Sequence, residues 1–506
     1  MAPELSRPIG AEIVPSAAVV CRFRRARQGI CYSEKMIRKS SRVAWFALLL
    51  PIVALWLLAT GSVGVAAQQA AAPVIPPPVS TSPAEFAQAA DEVLQNMSEI
   101  TGLQLRAPLK KTLRSREDIR AYVIRQMEED KDPAQRHADA KSAEAFGLLP
   151  KNFDLDSFMV DLLTEQITGL YDPKAGEFYI ADWIPLDDQR PVMAHELTHA
   201  LEDQHFHIDA WLKAARPNDD AELARESFLE GSAMAAMVDY SLAGTGQTMN
   251  NMPEFDPSLL TGDLGTTPLL KKAPQFIKDS LTFPYFAGMT FTAAVLKPAG
   301  WPALGKIFAN PPATTQQILH PALYKSGHVP AKVQLPAMET KLGKDWKKLD
   351  DNFLGEFGLL EVLKQFLDEQ RAKPLAAAWE GDRYLLFENQ KTQRLLLLMR
   401  LHLAKPEQAE RFFGQYSELL EKKHPQHSNL LRRPNFFSFD TPEGGVLLRC
   451  SNLDCLVLEG GDRSLFVEVN KELGLGMVPE PDLKPGTVPT KTVKNADAGG
   501  ISIAAR

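Results

Sequence analysis

MAHELTHALEDQHFH, residues 193–207, packs four of the chain's ten histidines into fifteen positions. Within it, His195-Glu196-Leu197-Thr198-His199 is an H-E-x-x-H pentad. Positions i and i+4 of a helix share one face, so both imidazoles reach a single cation. The glutamate after the first histidine does not bind the metal. It reaches a metal-bound water and accepts its proton. Val192, Met193, Leu197, Ala200 and Leu201 suit a helix, and no glycine or proline interrupts Val192 to His207. Chance yields such a pentad in roughly one chain in a hundred. The expectation is a zinc site with ligands His195 and His199 and with Glu196 as general base.

A catalytic zinc site uses three protein ligands and keeps one position for water. His205 stands six residues after His199, a spacing that works when a glycine between them breaks the helix. Here that position is Glu202, a good helix former. If the helix runs on, His205 is rotated about 120° from His199 and leaves the metal face. Downstream, ARESFLEGSAMAAMVDY (Ala224–Tyr240) suits a second helix with Glu226 and Glu230 one turn apart. Glu230 is the favoured third ligand, because the small residues of Glu-Gly-x-Ala let a helix come close to the metal. Glu226 is the alternative ligand, or a residue that orients a histidine.

HELTHALEDQHF followed by FLEGSA resembles the glutamate-zincins, and within them a group of bacterial peptidase-like proteins. The resemblance extends to GLYDPKAGEFYI, FPYFAG, PPATTQQILHPALY and the GDRYLLFE region, and so covers most of residues 100–390. It implies a zincin core: a small sheet whose edge strand binds extended peptide, the pentad helix, then a glutamate helix. Gluzincins often carry an acidic residue one turn after the ligand glutamate. That position is Met234 here, so support for the ligands must come from elsewhere. A peptidase also needs a donor to the oxyanion. The candidates are Tyr285 in FPYFAG, and His320 and Tyr324 in ILHPALY, while Tyr171 and Asp172 read as structural.

The fold class expected is α+β: a predominantly helical zincin-like domain with a small sheet over residues 84–375, then a smaller α+β domain over 376–475. ITGLYDPKAGEFYIAD reads as a β-hairpin. Ser115 to Asp118 reads as a capping box. RYLLFEN, RLLLLMRLHL, NFFSFDT, GVLLRCS, CLVLEGG and SLFVEVN read as strands around the helix PEQAERFFGQYSELLEKK. Val43–Thr60 is an apolar run behind a basic stretch, so residues 1–67 read as upstream sequence with a signal peptide or N-terminal anchor. The start can be Met1 or Met36. Residues 68–83 read as a Pro/Ala-rich tether, and 476–506 as a disordered tail.

Export follows from this layout, to the periplasm or beyond the cell, with membrane contact limited to the possible anchor. Residues 1–67 carry a net charge of +6, which leaves −13 on residues 68–506. That balance argues against nucleic acid as a partner. Cys450 and Cys455 are close enough in sequence to form a local disulfide outside the cytoplasm. The function expected is a zinc metallopeptidase acting on peptides or proteins. A non-catalytic envelope-binding protein and a zinc hydrolase of a non-peptide bond are the alternatives. The partner of the C-terminal domain is not legible.

Overall fold

The computed structural model describes residues 82–249, 251 and 267–480. The apolar run Val43–Thr60, the tether up to Thr81 and the tail beyond Glu480 lie outside them. Among the described residues no helix is long and apolar enough to cross a membrane.

Helix α1 (Pro83–Thr101) starts at a capping box between Ser82 and Glu85. Strand β1 (Lys110–Arg114) begins only after Pro108, which lacks the N–H that a ladder requires. Ser115 and Asp118 form the expected capping box of α2 (Arg116–Asp130). Asp132 and Asp154 cap α3 (Pro133–Phe146) and α4 (Leu155–Gln166). The hairpin is β2 (Gly169–Asp172) and β3 (Glu177–Ala181), with Asp172 accepting from the N–H groups of Lys174 and Ala175 in its turn. β1 joins β3 in parallel, so the order is β1-β3-β2 and β2 is an edge.

The pentad lies on α5 (Arg190–Phe206), which runs uninterrupted until His207 adopts φ 55°. This helix is buried on nearly all sides. Met193, Leu197 and Leu201 pack with Phe178 and Ile180 of the small sheet and with Phe228 of α6 (Asp219–Ser241). Gly169 permits this packing: a Cβ there would stand 2.6 Å from Val192 Cγ1. The next long helix, α7 (Gln275–Leu296), crosses α6 backbone to backbone. A Cβ on Gly231 would lie 2.1 Å from the carbonyl carbon of Gly288, and one on Gly288 would lie 1.8 Å from the carbonyl oxygen of Ser227. The small residue beside Glu230 therefore admits α7 and does not serve the metal side. Successive helical residues point about 100° apart, so Glu230 and Gly231 serve two different neighbours.

Short helices between Leu304 and Ser326 lead to a seven-stranded antiparallel sheet. Its strands are β4 (Trp346–Asn352), β5 (Trp379–Asn389), β6 (Leu395–Leu403), β7 (Ser428–Arg433), β8 (Phe436–Thr441), β9 (Gly444–Ser451) and β10 (Asp454–Gly461), in the order β4-β5-β6-β10-β9-β8-β7. Helix α8 (Gly355–Lys364) links β4 to β5. α9 (Pro406–Lys423) covers one face of the sheet and α10 (Arg463–Glu472) the other. The architecture is α+β, as expected. SLFVEVN is not a strand but part of α10. Asp462 accepts from Leu465 N at 2.8 Å as its N-cap, and Leu465, Phe466 and Val469 face the sheet at helical spacing. Edge strands β4 and β7 escape sequence reading because WKKLDDN and SNLLRR have little apolar alternation. Cys450 and Cys455 are register partners across β9 and β10 and form the expected disulfide.

The sheet also holds the start of α6. Asp219 N donates to Asn352 Oδ1 at the end of β4, 3.0 Å, and Asp220 Oδ1 accepts from Thr315 N, 2.9 Å. Because α6 is fixed both there and at its glycine crossing, Gly288→Ala should lower stability by about 2–4 kcal/mol. Denaturant unfolding measures this, and a change below ~0.5 kcal/mol would show that the crossing is not tight.

Candidate metal centre

α5 brings His195 Nε2 and His199 Nε2 to 3.2 Å of one another. From α6, Glu230 Oε2 lies 3.1 Å from the first and 3.5 Å from the second. Ligand atoms bound at about 2.1 Å around a tetrahedral ion stand about 3.4 Å apart, so the three separations suit one small cation. All three residues are at most 1% exposed. Among the described residues, Glu230 Oε1 and His195 Nδ1 are buried without a hydrogen-bond partner, which is uncommon for polar atoms in a folded interior. This group could hold a metal ion. Glu230, the expected third ligand, is thus brought to both histidines.

The charges follow from this packing. Burial opposes ionisation of Glu230, but His199 and His195 outweigh it and hold the carboxyl down at about 2. Burial also opposes charge on His199, yet Glu230 and Glu202 raise its pKa well above the usual histidine range. His195 is lowered, chiefly by burial. Glu196 is pushed up to about 8 by burial, with His199 opposing and Glu230 adding to the rise.

Glu196 is fixed by the edge strand. Its Oε2 accepts from Tyr171 N at 3.0 Å, and the Tyr171 hydroxyl donates to Asp203 Oδ2 at 2.7 Å, two turns along the same helix. Ala181 N donates to Thr168 O, so Gly169 and Tyr171 are the outward-facing positions of the β2–β3 ladder. The Tyr171 N–H that reaches Glu196 is thus an edge group. From sequence alone, Tyr171 has only a structural place.

The support that Met234 cannot give comes from α5 itself. Glu202 Oε2 lies 3.3 Å from His199 Nδ1, and Glu202 Oε1 accepts from Ser232 Oγ at 2.5 Å. Read as a helix former alone, Glu202 also stands three residues after His199, the spacing at which helical neighbours meet. Glu226 is buried, its Oε2 has no hydrogen-bond partner among the described residues, and neither histidine of the pentad is bonded to it. His205 Nε2 is bonded to Gln104 O at 2.8 Å on the surface, off the metal face as the continuous helix requires.

Of the proposed oxyanion donors, the structure brings one to the centre. Tyr285 is buried and its ring stacks on His195, with centroids 5.9 Å apart. His320 instead pairs with Glu356 at 2.9 Å, and the Tyr324 hydroxyl donates to Asn310 O at 2.7 Å.

Residues 344–464, the seven-stranded sheet from β4 onward, match a family described as a domain of unknown function, DUF8575. No curated protein matches the chain. Among solved structures, a Chloroflexus aurantiacus protein described as "a putative hydrolase with a novel fold" is similar over 48% of this chain and 89% of its own length, at 15% identity and a TM-score of 0.30.

If Glu202 orients His199 for a metal, Glu202→Gln should weaken affinity for a divalent ion about tenfold while the chain stays folded. Competition with a chromophoric chelator measures this. Removing the metal from the unsubstituted chain should lower its Tm, because an ion bound only by the folded state adds to stability.

Proposed function

We propose that this chain is an exported zinc-dependent metallopeptidase that hydrolyses peptide bonds, with His195, His199 and Glu230 as ligands. The observation that carries this reading is the convergence of two imidazoles and one carboxylate at 3.1–3.5 Å, with Glu196 beside them on the same helix. Zinc bound there would lower the pKa of a water and polarise the carbonyl to be attacked. A cation beside it would favour the ionised form of Glu196, which could then take the proton of that water and return it to the leaving nitrogen. Tyr171 N–H holds one oxygen of Glu196 and leaves the other for this transfer. Gly169 and Tyr171 turn further edge groups outward, which suits main-chain pairing with an extended peptide at low sequence selectivity.

Burial of the three ligands favours a second reading, in which the metal is structural and the chain is a non-catalytic binding protein of the envelope. A peptide bond reaches Glu196 only if the packing around β2 opens. The two readings separate on one variant. Glu196→Gln should retain zinc but lose chelator-sensitive cleavage of an unstructured protein by a factor of a thousand or more, since the general base is gone. Cleavage unaltered by this substitution would reject the assignment. Absence of chelator-sensitive cleavage in the zinc-loaded, unsubstituted chain would favour the structural site.

A further inference from the structure

The side of the small sheet away from α5 carries chemistry that the metal centre does not use. Tyr171, Phe178 and Ile180 pack toward α5, whereas Leu170 and Tyr179 pack with Ile119 and Val123 of α2. A recess of about 60 Å³ opens on this second side, lined by Arg114, Asp118, Tyr122, Arg125, Leu170 and Tyr179. Liquid water occupies about 30 Å³ per molecule, so the space suits a carboxylate group.

Its lining is basic in a chain that is otherwise acidic. The Arg114 guanidinium sits 4.6 Å from the centre of the Tyr179 ring, and that of Arg125 sits 5.3 Å from the centre of Tyr122. Stacking of this kind holds a guanidinium flat and leaves its edge N–H groups free to fork onto a planar anion. The nearby acids engage the two arginines only at long range. Asp118 is engaged by Ser115 in the cap of α2. Glu177 Oε1 accepts a long bond of 3.5 Å from Arg114 Nη2, while the carboxylate is shared with Lys110, Thr112 and the Tyr179 hydroxyl. Glu129 is 4.0 Å from Arg125, and both are about half exposed.

Its position joins it to Glu196. Leu170 lines the recess, while its neighbour Tyr171 donates to Glu196 and a Cβ on Gly169 would stand 3.7 Å from Glu196 Cγ. Three consecutive residues of the edge strand therefore separate the two. Side chains of an extended peptide alternate between the faces of the sheet it joins. A peptide along β2 would turn one residue toward α5 and the next toward the arginines.

We propose that the recess formed by Arg114, Tyr122, Arg125 and Tyr179 is a carboxylate subsite. It selects peptides with an acidic group adjacent to the bond held at Glu196: an Asp or Glu side chain, or the peptide's own C-terminus. The inference rests on the peptidase reading for the course of the peptide, whereas carboxylate binding is tested apart from cleavage.

The test uses the full, zinc-loaded chain with Glu196→Gln and fluorescent peptides of one sequence. These carry Glu, Gln or Lys at a single interior position, each as free acid and as C-terminal amide. The expected result is at least tenfold tighter binding of one carboxylate-bearing form over its amide counterpart. Preference for interior Glu over Gln identifies a side-chain subsite, and preference for the free acid over the amide identifies a terminal one. Arg114→Gln with Arg125→Gln should abolish the difference and leave binding of the Gln-containing amide unchanged. Arg114→Glu with Arg125→Glu should invert it in favour of the Lys peptide, a gain that misfolding cannot produce. Equal or absent binding of all forms, or a preference that survives the double Gln substitution, overturns the proposal. A parallel cleavage assay with Glu196 intact keeps the two readings apart. A carboxylate preference without chelator-sensitive cleavage retains the subsite and removes the peptidase, and cleavage without the preference does the reverse.

Discussion

Two imidazoles and a carboxylate taken out of water and held 3.1–3.5 Å apart lose a large hydration energy. Their mutual contacts return it only if positive charge sits among them. Glu230 and Glu202 favour such a charge on His199 despite burial. A divalent cation held there would satisfy Glu230 and both Nε2 atoms together, and would leave each histidine neutral, with the Nδ1 side of His199 toward Glu202. Much of the surrounding architecture acts to keep three donors from three turns of helix at this spacing.

Two of the donors come from one helix and need only its regularity. The third depends on tertiary structure. Glu230 reaches the histidines because α6 is gripped at both ends of the relevant stretch: by Asn352 and Thr315 near its start, and by the crossing of Gly231 with Gly288 next to the ligand itself. The first of these grips includes β4 of the seven-stranded sheet. That sheet is therefore mechanically part of the candidate metal centre, whatever else its other surfaces do.

This division explains what the sequence made legible. The pentad is a local pattern, and so are the hairpin and the capping box at Ser115, which fold as read. Choosing Glu230 over His205 needed one further physical step, the rotation of a helix that Glu202 allows to continue. Glu202 itself shows where local reading stops. Its helix propensity was visible, but its carboxylate lies between His199 and Ser232, and Ser232 comes from another helix. Gly231 was attributed to the metal side because its partner, Gly288, lies far along the chain. SLFVEVN has apolar residues that fit either period, and only the Asp462 cap and the sheet beneath Leu465, Phe466 and Val469 decide for a helix.

The edge strand ties these parts into one device. A free edge N–H on Tyr171 would ordinarily be left to solvent or to an added strand. Here it holds the carboxylate of Glu196, and the same residue's hydroxyl fixes the strand to Asp203 on α5. Strand position, the orientation of the proposed base and the placement of the histidines are consequently set by one helix. A displacement of β2 that admitted a peptide would loosen Glu196 at the same moment that it opened the edge. In such an arrangement the incoming main chain must replace the Tyr171 bond or leave it intact and pair beside it, at Gly169 N–H and C=O and at Tyr171 C=O. The second course preserves the alignment of Glu196, and it is the one that keeps Leu170, with the arginines behind it, next to the bound chain.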